Sequence, residues 1–288
     1  MTDQRLGLIG GGNMARSLVG GLINSGIAPE SIIVSDPDNS IRQALAEDFS
    51  VQTCADNSSA AHVADILVLA VKPQVIQCAV EDIAENLLQR QPLVVSIAAG
   101  IPIASIESWA GSPLPLIRVM PNTPAVTGNG ASGMYANHRV SESQRTQAQK
   151  IMEAIGIAVW VDEESLIDTV TAVSGSGPAY FFYLMDAMVK AAQEGGLNPE
   201  ISRQLTLQTA LGAAQLALAS DDSPRELRRR VTSPGGTTQA AVEWLDKNGC
   251  EEILIRAVHA ARELSIELAK LPGEQGCEPI TPVIPVYS

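Results

Sequence analysis

The 288-residue chain has few of the residues that mark several classes of protein. Its four cysteines show no C-x-x-C spacing and no histidine-rich partner segment, which predicts neither a zinc site nor a disulfide-rich scaffold and favours a reducing cytoplasm. The chain has only 19 Lys and Arg against 32 Asp and Glu, and the resulting net charge of −13 argues against nucleic-acid binding. Since no apolar run reaches about 18 residues, we expect no membrane span and a soluble, cytoplasmic protein.

The motifs of hydrolytic and metal-dependent catalysis are also missing. There is no G-x-S-x-G, no HExxH and no carboxylate cluster in the loops, and His62, His138 and His259 stand alone. We therefore predict no metal site. Reactions that depend only on positioning, a bound anion and at most one hydroxyl need none of these groups.

Aromatic residues make up only 3% of the chain, so the 45% of hydrophobic residues describe a core of Ala, Val, Ile and Leu. Before about residue 162, short apolar runs alternate with helical patterns, which is typical of a Rossmann-type, doubly wound, mostly parallel sheet. The predicted strands are Leu6–Ile9, Ile32–Ser35, Ile66–Val71, Leu93–Ile97, Leu116–Val119 and Ala158–Val161, with Ser132–Ala136 as a further edge strand. The predicted helices between them are Asn13–Ser25, Ile41–Glu47, Val75–Leu88 and Glu142–Ile155.

The strand pattern stops after Asp162, and helical spacing takes over. Pro178–Glu194 is apolar almost all round, which predicts a helix that is buried against a second subunit. Four prolines from Pro272 onward predict an extended or disordered tail. We therefore predict a dinucleotide-binding domain over residues 1–162, an all-α dimerisation and substrate domain over 163–271, and a proline-rich tail over 272–288.

The first predicted strand runs into Gly10-Gly-Gly-Asn-Met-Ala15, which matches G-x-G-x-x-G/A. Gly10 allows the tight turn, Gly12 lets a pyrophosphate approach the backbone, and Ala15 keeps the helix close to the strand. An acid such as Asp36, after the second strand, normally accepts from a ribose 2′-OH and favours NAD, while Ser35 could donate to a 2′-phosphate. A turn cap is the structural alternative for Asp36. The sequence leaves NADP(H) and NAD(H) open.

Further loops follow predicted strands, at Ala70–Pro73, Ser96–Gly100 and Met120–Pro124. Ligands of open α/β sheets lie at the carboxyl ends of the strands, so these loops are expected to line the cofactor site. In the helical part, Ser174–Ala179 and Ser233–Thr238 open helices with small residues and hydroxyls. A helix start of this kind suits a small anion such as a carboxylate, and ordinary capping is its structural alternative.

These residues carry a resemblance to a known family. Pro224–Leu227 and Val231–Asp246 resemble the signature of pyrroline-5-carboxylate reductase, and the four loops Ala70–Pro73, Ser96–Gly100, Met120–Pro124 and Ser174–Ala179 occur there in the same order. The resemblance covers Leu6 to about Leu268. It implies reduction of 1-pyrroline-5-carboxylate to L-proline with NADPH or NADH, the last step of proline biosynthesis. It also implies an intertwined homodimer through the helical domain, in which each substrate entrance faces the partner's cofactor, often assembled into a larger ring.

The resemblance also implies roles for individual residues. Ser233, Gly236 and Thr237 would hold the substrate carboxylate, Thr238 would hydrogen-bond the ring nitrogen and help to supply its proton, and Pro178 would press on the ring. With neighbouring residues included, the predicted substrate site is Ser176, Pro178, Ser233, Gly235, Gly236, Thr237 and Thr238. The predicted cofactor site is Gly10, Gly12, Asn13, Met14, Ser35, Asp36, Asn57, Ala70, Val71, Lys72, Pro73, Ala98, Ala99, Gly100 and Asn122.

This chain departs from the family in two places. Members that favour NADPH often carry Ser-Asn-Arg where this chain has Ser35-Asp36-Pro37, and the tail after Leu271 matches no family element. Two other readings stay open. A β-hydroxyacid dehydrogenase-like oxidoreductase normally has K-x-x-x-N on a helix, but Lys190 is followed by Glu194. The second of these readings is a catalytically silent NAD(P)-binding regulator.

Overall fold

The computed structural model describes residues 4–270. These form two compact units, one made of residues 4–175 together with 262–270, and the other of residues 176–261. The first unit is built on a single sheet and the second is entirely helical. This confirms the predicted fold class. The domain boundary at residue 162 stays a prediction, and the division into compact units falls later, after Gly175.

The sheet of the first unit has eight strands in the order β3-β2-β1-β4-β5-β6-β7-β8. All neighbours pair in parallel except β6 and β7, which are antiparallel. The order reverses between β1 and β4, which is the switch point of a doubly wound sheet. The strands are β1 (Leu6–Ile9), β2 (Ile32–Ser35), β3 (Gln52–Cys54), β4 (Ile66–Leu69), β5 (Leu93–Ser96), β6 (Leu116–Met120), β7 (Gly130–Ala136) and β8 (Gly156–Trp160).

Helices pack on both faces of this sheet, so the central strands are apolar and buried on both sides. Val68 and Val95 belong to the apolar cluster of one face, and Leu67 and Val94 to that of the other. The helices of the unit are α1 (Asn13–Asn24), α2 (Asn39–Phe49), α3 (Asn57–Val63), α4 (Ile76–Asp82), α5 (Ala84–Arg90), α6 (Ile103–Ala110), α7 (Glu142–Glu153) and α8 (Leu166–Val170).

The second unit carries helices and hardly any buried side chains. Its helices are α9 (Gly177–Glu194), α10 (Pro199–Leu218), α11 (Pro224–Arg230), α12 (Thr237–Lys247) and most of α13 (Cys250–Lys270). Of residues 176–261, only Gly177, Ser202 and Thr206 are buried. Phe181 is 65% exposed and Tyr183 is 81% exposed. The helix predicted to be buried is therefore open to solvent in the single chain.

Most predicted strands and helices are confirmed, with corrections at the weakest signals. Ser132–Ala136 was expected to be an edge strand, but it lies in β7, inside the sheet, and β8 forms the edge. The short edge strand β3 was not predicted, because its three residues form no apolar run. The helix predicted over Val75–Leu88 is two helices that meet at Ile83. The predicted tail over 272–288 lies outside the described residues.

Two absences hold for residues 4–270. None of the helices there is both long enough and apolar enough to span a bilayer. The same residues contain no group of three or more His, Cys, Asp or Glu side chains arranged to hold a metal ion.

The backbones of β7 and β8 approach each other closely at Gly156, where a larger residue has no room. A Cβ at Gly156 would lie 2.0 Å from the carbonyl oxygen of Gly130, and its φ is +147°. We expect Gly156→Ala to lower the free energy of unfolding by roughly 1–3 kcal/mol through overpacking, measured by chemical denaturation. Gly128→Ala is the control, since its φ of +73° adds strain while its Cβ would meet nothing. Equal losses in the two variants would contradict the packing explanation.

Candidate functional site

The glycine-rich turn after β1 is fixed by close backbone contacts. Gly10 has a φ of +96°, and a Cβ there would lie 2.9 Å from the carbonyl oxygen of Ala70. Its amide donates to the carbonyl of Ser35 at 2.8 Å. Only glycine fits this point, where the ends of β1, β2 and β4 converge.

Gly12 differs from Gly10 because its environment is open. A Cβ at Gly12 would meet no atom within 4 Å, and its φ of −66° is ordinary. Gly12 is the N-cap of α1 and offers no side chain to the amides of the first turn, which include those of Asn13 and Met14. A helix N-terminus that begins at such an open glycine suits a phosphate group. The predicted turn therefore opens α1 directly after β1, and its role in phosphate binding stays a prediction.

Asp36 holds the glycine-rich turn from the second strand. Its Oδ2 accepts a hydrogen bond from the Gly11 amide at 2.8 Å, and its Oδ1 accepts one from the Asp38 amide at 2.9 Å. The side chain is 8% exposed. The turn-cap alternative for Asp36 is therefore realised, and the same carboxylate lies at the edge of the cleft described below.

Ser35, which was expected to be able to donate to a 2′-phosphate, already has a hydrogen-bond partner in the ligand-free chain. It is fully buried, and its hydroxyl donates to Oδ1 of Asn57 at 2.8 Å. Asn57 in turn donates from Nδ2 to Asp82 at 3.2 Å. Asp56, the N-cap of α3, holds Asn57 at the start of that helix. The amide and hydroxyl of Ser59 both donate to Asp56 and keep the pKa of its carboxyl below the usual value.

Asn57 and Asp82 line a cleft of about 710 Å³ at the switch point of the sheet. Among the described residues that line it, Lys72 is the one cation, and Asp36 and Asp82 are the acids. Seven predicted cofactor residues come together here: Gly10, Gly12, Asp36, Asn57, Ala70, Val71 and Lys72. The sequence reasoning missed the contribution of α4 and its N-cap Val75, which with Cys78, Ala79 and Asp82 of the helix recurs at helical spacing and lines the cleft.

The other predicted cofactor residues lie outside the lining of this cleft. Ala98, Ala99 and Gly100 lie on the loop between β5 and α6, where Ala98 is buried and Ala99 exposed. Asn122 has a structural role, because its Nδ2 donates to the Ser174 carbonyl at 2.9 Å and its Oδ1 accepts from the Ala131 amide at 2.8 Å. Pro73 follows Lys72, outside the lining.

The start of α12, in the second unit, carries most of the predicted substrate residues. The glycine amides there bond internally, since Gly235 donates to Oε1 of Gln239 at 2.6 Å and Gly236 donates to the Ser233 carbonyl at 3.0 Å. Gly236 is the N-cap and has no side chain. Within the described chain, the amides of Thr237 and Thr238 bond to no other group. The free donors are therefore the threonine amides rather than the glycine amides.

The other candidate residues of this unit lie at the start of α9, and a basic run lies on α11. Ser176 is the N-cap of α9, with no hydrogen bond from its side chain to the helix, and Pro178 lies in the first turn. The arginines of α11 are exposed and pair with the exposed Asp246 and the partly buried Glu226 and Asp222, which is typical of a solvated face. The hydrogen bond from Arg229, for example, holds the pKa of Glu226 below its usual value.

These features define a class of protein. A mostly parallel sheet of this order, a glycine-rich turn that opens a helix and a cleft at the switch point are typical of a dinucleotide-binding domain. Two family models agree: residues 5–100 match the family described as NADP oxidoreductase, coenzyme F420-dependent, and residues 164–268 match pyrroline-5-carboxylate reductase dimerisation.

Individual relatives span nearly the whole chain. The pyrroline-5-carboxylate reductase of Pseudomonas aeruginosa is 51% identical over 95% of this chain and 100% of its own length. A solved pyrroline-5-carboxylate reductase from Coxiella burnetii has a TM-score of 0.90 and 41% identity, covering 93% of this chain and 99% of its own. The Plasmodium falciparum pyrroline carboxylate reductase, solved with NADP bound, has a TM-score of 0.83 and 30% identity, covering 94% and 100%. The chain belongs to the pyrroline-5-carboxylate reductase family.

The two outer glycines of the turn give a matched pair of variants. Gly12→Ala places a methyl group in open space and should leave stability unchanged, while NADPH or NADH binds about tenfold more weakly, or about 1.4 kcal/mol. Gly10→Ala should instead destabilise the fold, because its methyl group meets the Ala70 carbonyl. Thermal unfolding and coenzyme titration check both. Unchanged coenzyme affinity in Gly12→Ala would exclude this turn from the site.

Proposed function

We propose that this protein reduces the C=N bond of 1-pyrroline-5-carboxylate to give L-proline, the last step of proline biosynthesis, with NADPH or NADH as the reductant. The observation that carries the proposal is the 51% identity with the Pseudomonas aeruginosa reductase over that enzyme's full length. The described geometry supports it, because the first unit has a dinucleotide cleft and the second has a helix start that suits a carboxylate.

The cleft of the first unit fits a nicotinamide dinucleotide. The amides at the start of α1 would hold the pyrophosphate, and Asp36 and Asn57 would lie beside the adenosine ribose. The turn after β2 carries groups of both signs, since Nη1 of Arg42 donates to the Asp36 carbonyl at 2.6 Å. A carboxylate opposes a 2′-phosphate and a guanidinium attracts one, so NADPH and NADH have to be compared directly. When bound, the reduced nicotinamide supplies the hydride.

The start of α12 would hold the substrate carboxylate. The free amides of Thr237 and Thr238, together with the positive end of the helix dipole, replace the arginine that many carboxylate sites use. Ser233 and Gly236 shape this turn through their mutual hydrogen bond, and Gly235 does so through Gln239. Ser176 and Pro178 would bound the ring from the start of α9.

Thr238 is the candidate catalytic residue of this chain. Its hydroxyl is exposed at the first turn of α12 and would hydrogen-bond the ring nitrogen. As the hydride forms the new C–H bond, the C=N electron pair moves to nitrogen, and nitrogen takes up a proton that this hydroxyl helps to deliver. No metal takes part in the proposed reaction.

The exposed face of α9 supports assembly into a homo-oligomer. Phe181, Phe182, Tyr183 and Leu184 are all more than half exposed, a large apolar surface for one helix. The family model for dimerisation covers this region. We propose a homodimer through the second unit, its further assembly into a ring, and a cytoplasmic location, without a nucleic-acid or membrane partner.

The dehydrogenase alternative finds no support at Lys190. Its Nζ lies 2.6 Å from Asp186 in an exposed ion pair, and this contact raises the pKa of Lys190. A lysine that acts as a base at neutral pH needs a lowered pKa. Position 194, four residues further, is Glu rather than Asn.

The deciding experiment follows the absorbance of the reduced nicotinamide at saturating coenzyme. Adding 1-pyrroline-5-carboxylate should oxidise the coenzyme with L-proline as product, and parallel assays with NADPH and NADH give the preference. A β-hydroxyacid with oxidised coenzyme is the control and should give no reaction. Coenzyme that binds but is not consumed would indicate the silent regulator and contradict the proposal.

Thr238→Ala tests the catalytic hydroxyl. We expect kcat to fall by about one to two orders of magnitude, within the range of general-acid effects, in steady-state kinetics. Thr237→Ala is the matched control, because it removes the neighbouring hydroxyl and keeps both backbone amides. If Thr238→Ala had the kinetics of the unaltered protein, or if both variants lost activity equally, the hydroxyl of Thr238 would have no special role.

A further inference from the structure

A cluster of charged side chains lies inside the first unit and takes no part in the cleft. Arg118 of β6 is 3% exposed, and its Nη1 donates to Oε1 of Glu164 at 3.2 Å. Its Nη2 lies 3.8 Å from Oδ1 of Asp168, which accepts a hydrogen bond from the Ser265 hydroxyl at 2.7 Å. A buried arginine is costly unless it is paired, so the two acids hold it in place.

Glu164 makes a second contact that reaches toward the proposed site. Its Oε1 also accepts a hydrogen bond from the amide of Ile103, the first residue of α6, at 2.8 Å. The N-cap of α6 is Pro102, whose side chain cannot accept a hydrogen bond. Glu164 therefore caps α6 from 61 residues away along the chain. It fixes the point where the loop that carries Ala98, Ala99 and Gly100 ends.

The last helix holds the same loop from another side. A Cβ at Gly100 would lie 3.8 Å from the Cβ of Leu268 in α13. Ser265, one turn earlier on α13, is tied to Asp168, and Nε of Arg262 donates to the Thr169 hydroxyl at 3.1 Å. The cluster thus fixes both the end of the loop and the helix beside its glycine.

We propose that Glu164 is a positioning residue for hydride transfer: with Arg118 and Asp168 it holds the loop 97–102 at the place where the nicotinamide ring would lie. The inference rests on the proposed function: the adenosine half would lie at the ends of β1 and β2, and the loop 97–102 follows β5 on the other side of the switch point, where the nicotinamide half would lie. Glu164 touches neither the glycine-rich turn nor the cleft, so it sets the place of the ring and leaves the binding of the adenosine half unchanged.

Glu164→Gln tests this with a change of one atom. Glutamine keeps an oxygen for the Ile103 amide but does not neutralise Arg118. We expect kcat to fall by about tenfold, since a small misplacement of reacting atoms can cost up to about a hundredfold. The coenzyme Kd, measured by tryptophan fluorescence, should stay within about threefold. The primary isotope effect with deuterated coenzyme should rise, because hydride transfer becomes slower than the other steps.

Hydrogen–deuterium exchange of the ligand-free protein tests the anchoring without any reaction. Amides 97–103 should exchange faster in Glu164→Gln, and faster again in Glu164→Ala, which removes both contacts. Glu163→Gln is the matched control, since Glu163 is the exposed neighbour, and it should behave like the unaltered protein.

Three other results would contradict either the role of Glu164 or the proposed function. Exchange over 97–103 that matches Glu163→Gln in both variants would overturn the proposal. Faster exchange across the whole sheet, with Kd and kcat impaired together, would also overturn it by showing a general loss of stability. An unaltered protein that fails to reduce 1-pyrroline-5-carboxylate would refute the proposed function, while the exchange pattern would still decide whether Glu164 anchors the loop.

Discussion

The hydrogen bond from the Gly11 amide to the Asp36 carboxylate joins the two strands on which the nucleotide cleft is built. It fixes the glycine-rich turn against the end of β2, while Gly10 packs against the backbone after β4. Three strand ends are therefore locked to one another before any ligand arrives. Because these contacts hold the turn in place, less of the chain has to become ordered when a ligand binds at the start of α1, which is the basis of preorganised binding.

The parts of the fold that could be predicted are those whose signal is local. Leu6–Ile9 and Ile32–Ser35 are continuous apolar runs, and they are strands with those bounds. β7 is different, because five of its seven residues are Gly, Ala or Ser, which have weak strand preference. Its place inside the sheet comes from pairing with β6 and β8, and such long-range pairing leaves no local pattern. The helix break at Ile83 has no Gly or Pro to announce it.

In the candidate site, too, local features could be predicted from the sequence and long-range contacts could not. Spacing alone located the glycine-rich turn and the start of α12, but it could not show which polar atoms are free. Ser35 looked available and is bonded to Asn57, 22 residues away, and Asn122 is bonded to Ser174, 52 residues away. The glycines before α12 looked like the donors, but Gln239 occupies one of them. Hydrogen-bond partners distant in sequence decide these cases, since a donor that is already satisfied gains little from a ligand.

The two units differ in how much of their apolar side-chain surface they bury. The first unit buries apolar side chains on both faces of its sheet and even encloses the charge of Arg118. Within residues 176–261 no large apolar side chain is buried, so these helices gain little of the hydrophobic stabilisation that normally offsets the entropy of folding. This exposed apolar surface is of the kind that a subunit interface covers, and residues 164–268 match a family model for dimerisation. Where assembly covers such a surface, the stability of the unit depends on the concentration of the protein.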